Sequence, residues 1–333
     1  MAETLSLADA RDLLARAAMG AGARGTVARS IAKAAVAAEA EGMPTVGVSH
    51  FLDYLASIEA GRIDGQAEPT ITRSSPVVLR SDAGGGVAHL GFDRVFEELV
   101  EMARAFGVAV FAQKGAYTCG QLGHFPNRLA ERGLVALAAT NGPALLAASG
   151  TTQPVFCTNP VALAAPRGKG TLVIDQSSSQ TAFVNIRRAA EEGREIPEGW
   201  ALDAGGQPTT DPVAAMAGAL LPYGGARGAN MALMVEVLAA ALTGANWSLD
   251  APSIVAGNAS PMTGLVVIAI APETTGGAGL TRRLDDWARR VEAMGGHIPG
   301  QRRLAALARA EADGIAIGDD VLARLRGYAE RAG

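Results

Sequence analysis

The apolar pattern changes character twice along this 333-residue chain, and that change narrows the available folds more than any other feature. The first sixty residues carry helical periodicity. Ser6 is placed to cap a helix that runs through Met19 and stops at Gly20. Thr26 is placed to cap a second that runs to Gly42, and a third spans Pro44 to Gly61. The pattern then breaks into runs of strand length at 76–80, 108–113, 134–140, 161–165, 172–175 and 263–271. The last of these is the clearest, with Val266, Val267, Ile268 and Ile270 together. A glycine-rich turn at 82–86 precedes a helix expected at 93–106. Residues 196–212 hold enough proline and glycine to predict a long loop. Residues 228–242 are apolar on nearly all sides, which predicts a buried helix ended by Gly244. From Leu280 the pattern is helical again.

Strands and helices mixed without a regular βαβ rhythm predict an α+β fold with helical N- and C-terminal parts. The expected division is a helical part of 1–75 packed with a helical tail of 280–333, around an α+β domain of 76–279. Hydrophobic residues make up 49% and charged residues 19%, enough for a large core and too apolar for disorder. The net charge of −4 argues against a nucleic-acid partner. Two cysteines, Cys119 and Cys157, exclude a disulfide scaffold and fit a reducing compartment. The first residues lack a basic and then apolar leader, and no apolar run reaches the roughly 18 residues of a membrane span. The expectation is a soluble cytoplasmic enzyme.

Four polar segments stand out. Gly20 to Gly25 matches GxGxxG, but a helix precedes it rather than a strand, so it reads as a helix–helix connection. Asp175-Gln-Ser-Ser-Ser179 follows a strand and offers hydroxyls and free N–H groups to a phosphate or ribose, or forms a capping turn. Cys157-Thr-Asn-Pro160 is a stiff turn with paired donors and acceptors, and also fits an ordinary turn. In Leu221-Pro-Tyr-Gly-Gly-Ala-Arg-Gly228, Arg227 sits where the helix dipole is already positive, which an anion there would relieve. The residues Gln301-Arg302-Arg303 suit an anion clamp or a solvated helix start. None of the four histidines has metal-ligand spacing, so no metal is expected.

Taken in this order, these segments resemble the malate/L-lactate dehydrogenase type 2 family of NAD(P)-dependent oxidoreductases. Its members include ureidoglycolate, sulfolactate and diketogulonate enzymes and Δ1-piperideine-2-carboxylate reductases. The carriers are Cys-Thr-Asn-Pro at 157–160, Ile-Pro-Glu-Gly-Trp-Ala-Leu-Asp at 196–203, Gln-Pro-Thr-Thr-Asp-Pro at 207–212, Leu-Leu-Pro-Tyr-Gly-Gly-Ala-Arg-Gly at 220–228 and Ile-Pro-Gly-Gln-Arg-Arg at 298–303. The resemblance implies a non-Rossmann NAD(P)-binding fold and a homodimer with its active site near the subunit boundary. It places NAD or NADP on Val173, Asp175, Ser177, Ser178, Ser179, Ala226, Arg227, Gly300, Gln301 and Arg302. Asn141, Thr158, Asn159 and Pro160 match loops of the same cleft.

The catalytic pattern departs from the family. A histidine, an arginine four residues on, and a tyrosine are usual, and here they read Val46, His50 and Tyr54. A second histidine position holds Thr118, and an aspartate of the imine-reducing branch is Asn185. His50, one helical turn beyond Val46, becomes the expected acid–base or anchoring group, with Tyr117 and Thr118 assisting. A ketone without a proton donor should react roughly 10²–10⁴-fold more slowly, whereas an iminium arrives already protonated. Two activities therefore stand open: hydride transfer to a small 2-oxo acid, or reduction of a cyclic or acyclic imine. A noncatalytic dinucleotide-binding protein is the third alternative.

Overall fold

The computed structural model describes residues 2–168 and 170–332; Met1 and Gly333, at the edges of the expected helical parts, and Lys169 lie outside them. The chain opens with β1 (Ala2–Leu5), α1 (Leu7–Gly20), α2 (Gly25–Ala40), a 3-10 turn (Pro44–Val46) and α3 (Val48–Glu59). Then come β2 (Thr70–Ser75), β3 (Val78–Asp82), α4 (Ala88–Phe106), β4 (Val108–Ala116), α5 (His124–Ala130), β5 (Val135–Thr140), β6 (Leu146–Ala147) and β7 (Pro154–Phe156). The middle continues through β8 (Val161–Arg167), β9 (Gly170–Gln176), α6 (Phe183–Glu191), β10 (Ala201–Leu202), β11 (Pro208–Thr209), α7 (Pro212–Met216) and β12 (Ala219–Leu220). Next is α8 (Ala226–Glu236), which runs into a π-helical turn (Val237–Ala241), followed by β13 (Thr263–Ile270). The tail is α9 (Leu280–Ala293), α10 (Gln301–Asp313), β14 (Ile315–Gly318) and α11 (Asp319–Glu330). Helix and strand are mixed, as the sequence pattern predicts.

Ser6 caps α1 as expected, its Oγ accepting from the Asp9 N–H at 3.1 Å. The Gly20–Gly25 segment joins two helices, also as expected, because α1 ends at Gly20 and α2 begins at Gly25. Thr26 is not the cap of α2. The helix starts two residues earlier, with Arg24 extended at the N-cap and its carbonyl accepting from Ala28, so the Thr26 hydroxyl is buried and unpaired among the described residues. The third predicted helix is two pieces. Gly47 breaks it at φ −95° and ψ −135°, and Glu39 of α2 caps the restart by accepting the Val48 N–H at 2.8 Å. Val46 and His50 therefore do not share one helix, and the one-turn relation expected of them is lost.

The helix expected to be buried at 228–242 buries only one side. Ala229, Ala232, Val235 and Ala239 are covered, while Leu233, Met234, Val237 and Leu242 are 49%, 57%, 44% and 67% exposed. A helix apolar all round needs cover all round, and this chain supplies half of it. Residues 196–212 are mostly loop, with β10 and β11 paired across it.

The main sheet has the order β2-β3-β4-β13-β5-β8-β9. Only β3 and β4 run parallel within it; every other neighbouring pair is antiparallel. This register puts Ala116, Thr263, Thr140, Val161 and Gln176 on one edge: Thr263 pairs with Ala116, Leu265 with Thr140, Ala139 with Val161, and Val161 with Gln176. Helices α4 and α5 cover the sheet through Phe92, Leu99 and Phe125. A second core, with Leu14, Ile31, Phe51 and Leu325, joins α1, α2 and α3 to α11. A smaller sheet, β11-β10-β12-β6-β7, packs against α6 and α7 around Leu146, Ile186 and Leu220. Helix α9 lies on the main sheet through Ala288, Leu172 and Ile298.

Candidate active site

One edge of the main sheet gathers the sequence-predicted segments. The loop after β4 carries Tyr117 and Thr118, the loop after β5 carries Asn141, the loop before β8 carries Thr158–Pro160, and the end of β9 carries Asp175 and the serines. Side-chain contacts confirm the gathering. A Cβ added at Gly142 would stand 2.9 Å from the Cys157 Sγ and 3.9 Å from the Thr118 methyl. The Gly123 N–H donates to Asp175 Oδ2 at 2.7 Å, tying the loop after β4 to the end of β9.

The serine turn is built into its neighbours. The Ser178 N–H donates to the Thr158 carbonyl at 2.8 Å, and its Oγ donates to the Asn159 carbonyl at 2.9 Å. Ser177 and Ser179 share a hydroxyl bond of 3.0 Å, and Ser179 also donates to the Thr181 carbonyl at 2.6 Å. The Tyr223 N–H donates to the Ser178 carbonyl at 3.1 Å, and Gly228 packs so closely that a Cβ there would meet that carbonyl at 2.9 Å. The 157–160, 175–179 and 221–228 segments therefore form one cradle. Arg227 stands exposed at its rim and makes no ion pair among the described residues.

The tail joins the other end of β9. Gly300, at φ +88°, lies against Val173, with space for a Cβ only 3.2 Å from the Val173 nitrogen. Gln301 donates to Glu292 on α9, and Arg302 is exposed. Arg303 is neither clamp nor solvated residue. It is buried, with Nη1 2.9 Å from Glu41 Oε1 and Nη2 bonded to Asn127 and Thr171.

Asn141 is placed at this edge but is spent on structure. Its Oδ1 accepts the Gly264 N–H at 2.9 Å and its Nδ2 donates to the Asn246 carbonyl at 2.8 Å. Asn159 is equally committed, donating to Glu236 Oε2 at 2.7 Å and to the Ala232 carbonyl, while its Oδ1 is buried without a partner among the described residues.

His50 faces Asp53, with 3.1 Å between Nδ1 and Oδ2. A carboxylate only accepts, so Nδ1 carries the proton and Nε2 is left for another partner. The His50 ring meets Tyr54 edge-on at 5.2 Å, and the Tyr54 hydroxyl donates to the Thr118 carbonyl at 3.3 Å. Tyr117 turns instead into the helical core, its hydroxyl 3.0 Å from that of Ser57. Burial raises the Tyr117 pKa, so it is a poor proton donor.

Charge is tuned around the cleft. Burial raises the Asp175 carboxyl above its usual range, opposed by the Gly123 hydrogen bond. The His50 hydrogen bond holds Asp53 below its usual range against some desolvation, with further pull from His50 charge and Arg187. Burial pushes His89 down to about 4 and Cys119 up to about 12. Neither serves as an acid or nucleophile near neutral pH.

Sequence reasoning missed Glu236, Asp53 and Arg187. Glu236 is buried on α8 and accepts from Asn159 and from both the N–H and the hydroxyl of Ser248, fixing the 157–160 turn. A carboxylate inside an apolar helix was the available signal. Asp53 was legible as an i, i+3 partner of His50. No local pattern brings Arg187 to Asp53.

The family model for malate/L-lactate dehydrogenase matches residues 5–326. A (2R)-3-sulfolactate dehydrogenase (NADP(+)) of Chromohalobacter salexigens is 37% identical, with 99% of each chain covered. A Delta(1)-pyrroline-2-carboxylate/Delta(1)-piperideine-2-carboxylate reductase of Pseudomonas syringae pv. tomato is 35% identical over 97% of this chain and 96% of its own. A crystal structure of delta1-piperideine-2-carboxylate reductase from P. syringae pv. tomato superposes with a TM-score of 0.94 at 35% identity, covering 98% of this chain and 99% of that one.

Proposed function

Because the chain belongs to the malate/L-lactate dehydrogenase family, and so is an NAD(P)-dependent oxidoreductase, we propose that it reduces a cyclic imine bearing a carboxylate, of the Δ1-pyrroline-2-carboxylate kind. The reading draws on a departure that the resemblance implies: Val46, Thr118 and Asn185 stand where family members hold proton-transfer groups, the last of them an aspartate in the imine-reducing branch itself. A protonated imine needs no such donor. The alternative, reduction of a small 2-oxo acid, draws support from the Asp53-oriented His50, whose Nε2 can give a proton when the ring is in its imidazolium form.

The cleft suits a nicotinamide dinucleotide. Glycine backbone at 123, 228 and 300 lies against β9 and the serine turn, where side chains would fill the approach. Asp175 offers acceptor oxygens for ribose hydroxyls, Ser177 offers a hydroxyl, and Arg227 and Arg302 offer exposed charge for phosphates. When bound in its reduced form, the coenzyme supplies hydride to the electrophilic carbon. The chain's own residues do the rest. Glu236, Asn159 and Ser178 fix the 157–160 turn, Tyr54 holds the Thr118 backbone, and Asp53 fixes the His50 tautomer.

This binding mode is proposed to be non-Rossmann, which the mostly antiparallel sheet supports. A homodimer belongs to the same proposal, supported by the uncovered apolar side of α8. So does a cytoplasmic location, supported by two free cysteines. The division into 1–75 with 280–333, around 76–279, draws support from the core shared by α1, α2, α3 and α11. Thr70–Ser75 pairs with β3, however, and α9 packs on the main sheet.

The test is NADPH and NADH oxidation with Δ1-pyrroline-2-carboxylate, Δ1-piperideine-2-carboxylate and pyruvate, beside coenzyme titration followed by fluorescence. A kcat/KM for an imine well above that for pyruvate is expected. Faster pyruvate turnover that is lost in His50→Ala would establish the alternative. Coenzyme binding with no turnover on any of the three would leave a noncatalytic binder.

A further inference from the structure

We propose that Arg187 of α6 is the carboxylate-binding arm of the substrate site, reaching across from the side opposite α3. This rests on the imine- or oxo-acid reading above and names the group that recognises the acid. The resemblance implies an arginine on α3 at the position where this chain holds His50.

The geometry supplies a replacement. Arg187 Nη1 lies 4.0 Å from Asp53 Oδ2, the same oxygen that holds His50 Nδ1 at 3.1 Å. One carboxylate oxygen thus sets an imidazole from α3 and a guanidinium from α6 side by side. The two elements also flank the coenzyme cradle. His50 leads through Tyr54 to the Thr118 carbonyl, while α6 begins just after the Ser177–Ser179 turn, where Asn185 Nδ2 donates to Thr181 Oγ1 at 3.0 Å.

Arg187 is positioned but not consumed. Its second carboxylate neighbour, Glu191, is 3.9 Å from Nε, and it makes no hydrogen bond among the described residues. Arg188, next along the helix, is by contrast bound to Glu192 at 2.8 Å. Ion pairs this long between half-exposed groups are weak, so a substrate carboxylate can take the guanidinium fork at little cost. A planar fork accepts a planar carboxylate through two parallel N–H bonds, which a lysine ammonium cannot reproduce.

The test compares two probes of nearly the same shape, the anionic pyrrole-2-carboxylate and the neutral pyrrole-2-carboxamide, by calorimetric titration with and without NADPH. The wild-type protein should bind the carboxylate more tightly. Arg187→Ala should weaken the carboxylate by roughly tenfold to a hundredfold, the range for a charge-assisted bond, and leave the carboxamide within about twofold. Arg187→Lys should recover only part of the loss, and NADPH affinity should not change in either variant. Equal weakening of both probes, unchanged carboxylate binding in Arg187→Ala, or no carboxylate preference in the wild type would overturn the proposal. Failure of wild-type protein to bind NADPH, with carboxylate preference intact, would instead strike the coenzyme reading.

Discussion

Arg303 and Glu41 meet from positions 262 apart in sequence, and both are buried. Removing one partner of such a pair strands the other charge without solvent. Arg303→Ala should therefore cost about 3–5 kcal/mol, seen as a lower urea midpoint with little change in slope. His89 makes a second prediction. It is fully enclosed, stacked on Phe125, and its Nδ1 has no partner among the described residues. Its pKa is about 4 in the fold against 6.5 for a free histidine. Between those values the unfolded chain binds the extra proton, so stability is whole above about pH 6.5 and falls as pH drops towards 4. Unfolding curves across that window should show the slope, and His89→Phe should lessen it, leaving the share of the buried His124 beside it, whose pKa burial also lowers. Neither residue was legible beforehand. A charge or an imidazole shows in the sequence, but the partner that decides its role does not: it lies 262 residues away for Arg303 and on α5 for His89.

Gly228 shows how an element depends on one missing side chain. It starts the buried face of α8, and a Cβ there would press on Tyr223 N at 2.7 Å and Ser178 O at 2.9 Å. Gly228→Ala should force the serine turn and α8 apart and weaken coenzyme binding at least about tenfold, measured by NADPH fluorescence titration, with a smaller loss of stability. Elements with strong local signals were readable: the Ser6 cap, the valine-rich β13 and the alternation of short runs that became the main sheet. Those set by competition were not. Thr26 was the better cap by residue type, yet the bond from Arg24 to the Gly65 carbonyl drew the chain into helix before it. The period of 228–242 gave its helix but not its exposure, because periodicity reports what is apolar and not what covers it.

At the scale of the whole molecule, the uncovered side of α8 and its π-helical turn is the feature that a single copy leaves unresolved. If two copies cover it for each other, Met234→Glu combined with Val237→Glu should shift the protein from dimer to monomer in sedimentation velocity, because an apolar interface does not accept unpaired charge. The cleft was legible because polar turns spaced far apart in sequence return to one sheet edge. The closing pair of strands was not legible, because each holds four residues and finds its only partner at the far end of the chain: Ala2 opposite Gly318, and Leu5 opposite Ile315. That pairing has a consequence during synthesis. Helix α1 packs on α2 as well as on α11, so the part of its apolar face that meets α11 stays uncovered until that much later helix has left the ribosome. A chaperone that shields nascent chains should therefore raise the soluble yield of this protein, measured by expression with and without it.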